Sequence, residues 1–393
     1  MCFGPFSRLC HWGPLTALGI IKFITGMTIH CNNLLWPVHS TGGFINSAVF
    51  VALSGLTLYN FLSSMYHGPG YLHLGWKPNR EEDCFYLQSC GVCQGFKAPR
   101  SHHCRKCGRC VMKMDHHCPW INNCVGWGNH AHFTLFLLFA TLGCLHASVI
   151  LGRSLYKSIH RMHYITGNQP VIQFGLYGLI MCVLALGFAI GVVVAVGMLL
   201  YFQLRAIVRN RTAIEDWILE KANFRRRDSG KMFVFPYDLG PRVNCFQVFT
   251  LSCHPVGDGI HWPVVNGCDQ YTLTREQIEQ KNEKRLKTKV YSIIRPASGY
   301  WFPITHGFRV CISFPCTDEP RIKLEVGDKV LVTRWRKHWL FGEKVQYDIP
   351  VGEESLRRTR GWFPRRCAVE LIENNQENEK IPTSSRIPVR KRK

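Results

Sequence analysis

Between Cys90 and Cys124 the chain places seven cysteines, four histidines and one aspartate. They run Cys90-x2-Cys93-x9-His103-Cys104-x2-Cys107-x2-Cys110-x4-Asp115-His116-His117-Cys118-x5-Cys124, with His102 before His103. Two C-x-x-C pairs at this separation signal zinc, because each pair offers two thiolates from one tight turn. A single ion on Cys90, Cys93, Cys104 and Cys107 leaves Cys110, Cys118, Cys124 and the histidines without a role. Two closed tetrahedral sites require eight ligands. Six cysteines and two histidines supply them, leaving one cysteine and at least one of the paired histidines uncommitted. The count does not say which. A nucleophilic thiol needs an adjacent base, and the base an orienting carboxylate. Asp115, His116 and Cys118 are the one Asp/His/Cys set within four residues of this stretch. The stretch belongs either to an enzyme or to a zinc-bearing adaptor.

The elements that must carry it are apolar. Four blocks, 13–36, 43–62, 131–152 and 174–202, are built from apolar residues; the first contains Lys22 and the other three carry no charge. A bilayer core needs roughly 20 apolar residues in a helix, so a polytopic α-helical membrane protein with four transmembrane helices is expected. The first block lacks the basic flank and cleavage pattern of a signal peptide. Lys77, Arg80, Lys97, Arg100, Arg105, Lys106, Arg109 and Lys113 lie between the second and third blocks, against Arg153, Lys157 and Arg161 in the third connection. By the positive-inside rule the cysteine-rich loop and both termini face the cytosol.

Composition agrees. The chain has 393 residues, and 48 Lys+Arg against 26 Asp+Glu give a formal net charge of +22. Such a balance points to an anionic partner: nucleic acid, an anionic leaflet or a phosphorylated small molecule. Eight of the 19 cysteines fall between Cys84 and Cys124. This clustering fits metal binding in a reducing compartment better than a secreted disulfide scaffold. Zinc knuckles rich in Lys and Arg also fit nucleic-acid binding. Spans on both sides argue against that partner, and no nucleic acid is expected.

The loop, through Asn129-x3-Phe133, resembles the cysteine-rich domain of the DHHC protein S-acyltransferases (palmitoyltransferases). The layout of four spans around it is similar to that family too. The resemblance implies two structural zinc ions, one on Cys90, Cys93, His103 and Cys110, the other on Cys104, Cys107, His117 and Cys124. It makes Cys118 the acyl-accepting nucleophile, His116 its base and Asp115 the residue orienting His116. It implies palmitoyl-CoA or another long-chain acyl-CoA as co-substrate, and membrane-associated proteins as substrates that accept the chain on cysteine. A catalytically inactive zinc-bearing scaffold is the alternative. Two family motifs depart from the usual pattern: Gly68-Pro69-Gly70 stands for Asp-Pro-Gly, and Thr212-Ala213-Ile214-Glu215 for Thr-Thr-x-Glu. Tyr237-Asp238-Leu239-Gly240, with Asn244 and Phe249, resembles the family's patch that packs near the third and fourth spans; the residues alone read only as a turn.

The expected organisation is a cytosolic N-terminus over 1–12, helices one and two in 13–63 and the cysteine-rich zinc domain in 64–130. Helices three and four follow in 131–203, then a linker over 204–309, a small β-barrel over 310–372 and a disordered basic tail over 373–393. The barrel is similar to a Src-homology-3 domain. Leu324 to Val332 alternates around a Gly327-Asp328 turn, Trp335, Trp339 and Phe341 follow, and Gly361-Trp362-Phe363-Pro364 comes near the end. The usual Asn-Tyr after Phe-Pro is replaced around Arg366 and Cys367, so a protein partner other than a proline-rich ligand is expected there. Val389-Arg390-Lys391-Arg392-Lys393 resembles a dilysine-type retrieval signal, which with the tail domain resembles the family's endoplasmic-reticulum member.

Overall fold

The structure, a computed structural model, describes residues 4–166, 171–317, 319–345 and 359–371. The expected tail over 373–393 and its retrieval signal lie outside them. Two compact units divide the chain: Met1–Pro78 with Gly95–Thr274, and Asn79–Gln94 with Arg275–Lys393.

The first unit holds four helices long and apolar enough to cross a membrane: α1 (Trp12–Leu35), α2 (Thr41–Tyr66), α3 (His130–Ile159) and α4 (Leu176–Val208). They overlap the four apolar blocks. The last three run past them, α3 to include Arg153 and Lys157 and α4 to include Arg205, because Lys and Arg are good helix formers and the backbone stays paired in water. Small residues let the helices approach, as expected where no hydrophobic effect acts between them. Cys31, Ala147, Cys182, Ala185 and Ala189 are all fully buried in one cluster with Ile24, Phe50 and Leu151. Polar side chains tie the spans together: Asn32 Nδ2 donates to Ser47 Oγ at 2.6 Å, and Thr25 reaches Ser54 at 3.3 Å.

Between α2 and α3 lie two short antiparallel hairpins, β1 (His102–Cys104) with β2 (Arg109–Val111), and β3 (His116–Cys118) with β4 (Asn123–Val125). Each opens on the tripeptide His-His-Cys. In the first, His103 is paired across the ladder with Cys110; in the second, His117 with Cys124. The turns differ at one position. Cys104 is followed three residues on by Cys107, whereas Cys118 is followed by Ile121, which is fully buried. Gly68-Pro69-Gly70 closes over both hairpins: the Gly70 carbonyl accepts from Met112 N and the Pro69 carbonyl from Gly128 N. Gly70 has φ +81°, and a Cβ there would lie 3.0 Å from the Trp127 ring, so glycine is required. After α4 come α5 (Ala213–Arg225) and α6 (Pro241–Phe246).

The second unit begins with Asn79–Gln94, which includes Cys90 and Cys93, both buried. This segment packs on α7 (Thr272–Leu286): Gln88 Nε2 donates to Gln277 Oε1 at 2.7 Å and the Arg275 guanidinium lies 4.8 Å from the Tyr86 ring. The strands that follow are β5 (Lys289–Ile293), β6 (Ala297–Ser298), β7 (Lys323–Leu324), β8 (Lys329–Trp335), β9 (Trp339–Lys344), β10 (Arg360–Pro364) and β11 (Ala368–Glu370). Five form one antiparallel sheet in the order β10-β9-β8-β5-β11, and β6 pairs with β7. Ile293, Leu324, Val330, Val332, Leu340, Phe363 and Cys367 fill its core. Among the described residues the sheet is open, with β10 and β11 at its edges, rather than a closed barrel. The inner strand β5 precedes Val310, where the domain was expected to begin. Its five residues, Lys-Val-Tyr-Ser-Ile, are too short a run to mark a strand by themselves, although Pro296 and Gly299 follow. The alternating stretch 324–332 is broken at Gly327, which has φ +91° and makes the turn into β8.

Candidate active site

Extended backbone at β3 sends neighbouring side chains to opposite faces. This separates His116 from His117. His117 Nδ1 lies 3.6 Å from Cys104 Sγ, 3.4 Å from Cys107 Sγ and 3.7 Å from Cys124 Sγ, and Cys107 and Cys124 sulfurs are 3.6 Å apart. All four donors lie within 4.8 Å of one another. Ligands about 2.1–2.3 Å from a tetrahedral zinc are roughly 3.5–3.8 Å from each other, so this set fits one ion with no open position. Within the first unit, His103 Nδ1 and Cys110 Sγ face each other at 3.9 Å across β1–β2.

His116 turns the other way. Its Nδ1 lies 2.8 Å from Asp115 Oδ2, and its ring sits against Phe133 with centroids 5.6 Å apart. Burial would lower its proton affinity, but hydrogen bonds to Asp115 and Cys118 outweigh this and push its pKa up to about 9. With Nδ1 engaged by the carboxylate, Nε2 is left for the thiol. Cys118 is buried in an apolar cluster with Phe61, Met65, Ile121, Phe133 and Leu137, drawn from α2, α3 and the β3–β4 turn.

Asp115 is fixed from three directions. Oδ2 accepts from His116 and from Gln203 Nε2 at 2.9 Å; Oδ1 accepts from the Ala213 backbone N–H at 2.8 Å. Burial would raise its pKa, yet His116 and the Ala213 N–H hold it well below the usual carboxylate range. Gln203, on α4, is positioned in turn by His130 Nε2, 2.9 Å from its Oε1. Ala213 is the first residue of α5, and its N–H is one of the donors a helix start leaves unpaired. Thr212 caps that helix in a capping box with Glu215. Ala213 contributes only its backbone to Asp115, so the departure from Thr-Thr-x-Glu costs this contact nothing.

Glu215 carries the other end of the framework. Its two oxygens meet Arg100 Nε and Nη2, both at 2.7 Å, with both side chains excluded from solvent. Arg100 also donates to the Asn210 carbonyl at 2.7 Å and lies 4.4 Å and 4.6 Å from the Tyr237 and Trp262 rings. Burial would raise the Glu215 pKa, but Arg100 keeps it low. Lys113, buried beside Arg100, is pushed down to about 7 by burial and that positive neighbour. Arg100 and Lys113 are therefore engaged inside the protein, whereas Lys77, Arg105 and Lys106 are exposed.

The remaining sequence-selected residues are structural. Asn129 Nδ2 donates to the Ser64 and Cys124 carbonyls at 2.8 and 2.9 Å, joining the end of α2 to β4. Asn244 Nδ2 donates to the Val208 carbonyl at 2.8 Å, where α4 ends, and Phe249 packs against the cluster of Ala131, Ile207 and Val248. Sequence reasoning missed Gln203, Arg100 and Trp262 as supports of the site, and gave Tyr237 only as part of a patch packing near the spans. For Gln203 a signal existed: it directly follows the uncharged block 174–202, and an amide at the end of an apolar span needs a partner.

A family model described as DHHC palmitoyltransferase matches residues 84–220. The chain is 46% identical over 393 residues to human "Palmitoyltransferase ZDHHC6", covering 96% of this chain and 94% of that protein. It is 46% identical over 392 residues to the zebrafish (Danio rerio) protein of the same name, covering 95% and 94%. Zebrafish "Palmitoyltransferase ZDHHC16A" is 31% identical over 243 residues, covering 48% of this chain and 62% of that protein.

Proposed function

Since the chain belongs to the DHHC palmitoyltransferase family and is a multi-pass membrane protein S-palmitoyltransferase, we propose that Cys118 carries the acyl group, with His116 as its base and Asp115 holding His116. The observation that carries this assignment is the Asp115–His116 pair, anchored at three points and adjoining a thiol that no zinc set requires. His116 takes the proton of the Cys118 thiol at Nε2. The sulfur attacks the thioester carbonyl of a long-chain acyl-CoA, the C–S bond to CoA breaks, and the CoA thiolate leaves with a proton from His116. A target cysteine then loses its proton to His116 and attacks acyl-Cys118. The chain passes to the target and Cys118 recovers a proton.

Cys118 adjoins Phe61, Phe133 and Leu137, so the fatty chain is proposed to lie among the spans, where each buried CH₂ contributes roughly 0.8 kcal/mol. Exposed Lys77, Arg105 and Lys106 are proposed to attract the CoA phosphates. Two zinc ions, on Cys90, Cys93, His103 and Cys110 and on Cys104, Cys107, His117 and Cys124, are proposed to be structural. The open sheet of the second unit is read as an SH3-like module that recruits a protein partner. Cytosolic placement of the loop is proposed from its charges, and residence in the endoplasmic-reticulum membrane from the likeness of the basic stretch 389–393 to a retrieval signal.

Cys118→Ser tests the assignment. Zinc content stays at two per chain and hydroxylamine-sensitive labelling by an acyl-CoA analogue is lost. Loss of one zinc from this variant would refute the ligand partition.

A further inference from the structure

The second unit carries an apolar surface that acyl transfer does not use. Tyr300, Phe302, Ile304, Phe308 and Ile312 are each between 60% and 80% exposed. Scattered apolar residues on a surface are ordinary, but five within one short segment are a patch with a use. The segment is held rather than frayed. Val310, at the centre of the helical turn Phe308–Ile312, is buried against Trp339, Phe341 and Trp362, and its carbonyl accepts from Trp339 Nε1 at 3.1 Å. With Val310 turned inward, Phe308 and Ile312, one turn apart, are presented together on the outside. Phe302 is braced by Phe314, with ring centroids 5.6 Å apart.

Along the chain through this patch the charge has one sign, and the nearby Glu319 is paired with Arg334. Between Glu283 and Asp318 the sequence contains no acidic residue, and it carries Lys284, Arg285, Lys287, Lys289, Arg295 and Arg309. Arg295 and Arg309 are exposed, and Arg366 reaches the segment through the His306 carbonyl at 3.4 Å. Aromatic side chains beside Lys and Arg are the composition that settles at a membrane–water interface. Four membrane-crossing helices in the same chain keep the second unit tethered near a bilayer, so a weak interfacial affinity suffices.

We propose that residues 300–312 insert their aromatic and aliphatic side chains into the interfacial layer of the bilayer, while Arg295, Arg309 and Arg366 contact anionic headgroups. This rests on none of the catalytic roles assigned above. The test uses the full-length chain reconstituted in phosphatidylcholine vesicles with and without phosphatidylserine. A photoactivatable phosphatidylcholine with a diazirine in its acyl chain serves as the probe, and adducts are mapped by mass spectrometry. The expected result is labelling of 300–312 as well as the four helices, stronger with phosphatidylserine. It is lost in the Phe302→Asp/Phe308→Asp variant while helix labelling is unchanged. Both side chains are exposed, so the substitutions leave the core of the unit intact. Absence of adducts on 300–312 while the helices label overturns the proposal, as does equal labelling of the double variant. Protection of the unlabelled segment by a co-purifying protein would assign the surface to that protein instead.

Discussion

Asp115 accepts three hydrogen bonds, from His116, Gln203 and the Ala213 N–H, and all three need an acceptor oxygen. Asn at this position offers one acceptor and turns an NH₂ toward the remaining donors. Asp115→Asn is therefore expected to lower acyl loading by about 10²–10⁴-fold, the range seen when a base loses its orienting carboxylate, with zinc content unchanged. Gln203→Leu keeps the volume and removes one of the three contacts. Loading is expected to fall about tenfold, the loss of one charge-assisted hydrogen bond, measured in a single-turnover assay. Residue types and spacing picked out the cluster and the family resemblance assigned its ligands; spacing could not tell His116 from His117, because adjacency in sequence carries no direction. Strand geometry supplies it. Cys118 lies outside both four-residue donor groups, and the position three residues on, where Cys90 and Cys104 have a second cysteine, is the buried Ile121.

At the level of elements, the start of α5 is both a helix cap and half of a carboxylate clamp. Ala213→Pro separates the two. Proline is favoured at the first helical position, and Thr212 before it already has the extended backbone, ψ 162°, that proline requires. The variant is expected to keep its thermal stability within about 1 kcal/mol while acyl loading falls at least tenfold, since the N–H to Asp115 is gone and the ring crowds Oδ1. The Arg100–Glu215 pair is a stability device. Glu215 has a lowered pKa in the folded protein, so its contribution is fully present above the unfolded carboxyl value of about 4.3 and is lost as pH falls through the lower folded value. Glu215→Gln, which strands a buried guanidinium, is expected to cost about 3–5 kcal/mol at neutral pH. The gap in melting temperature from the parent should close toward acid. Thr212 and Glu215 were legible as a departing motif. Arg100, the partner of Glu215, was not, because it lies 115 residues away in sequence and read as one of eight loop charges.

Over the whole molecule, the second unit sets where the chain can be cut. A chain ending before Val310 keeps β5 without β8 and β11, exposing Tyr291 and Ile293. A chain ending after α7, near residue 287, removes the sheet entire and retains the partner of Asn79–Gln94. The longer deletion is expected to preserve acyl loading while changing which proteins are modified, whereas the cut at 310 yields aggregating protein; size-exclusion profiles and labelling of a substrate panel compare them. Four spans were legible because a bilayer demands a long apolar run of each. The sheet was legible only in its later strands, since β5 is five residues whose partners lie 37 to 79 positions further on. The unit is also discontinuous along the chain, and that has a consequence in time. Asn79–Gln94 is synthesised about 180 residues ahead of α7, and at roughly 5–20 residues per second it waits about 10–35 s for the helix it packs on. Tyr86 and Gln88 spend that interval without Arg275 and Gln277, the partners they hold in the finished protein. Nascent chains halted before residue 275 should therefore be cleaved by protease within 79–94 faster than the finished protein is.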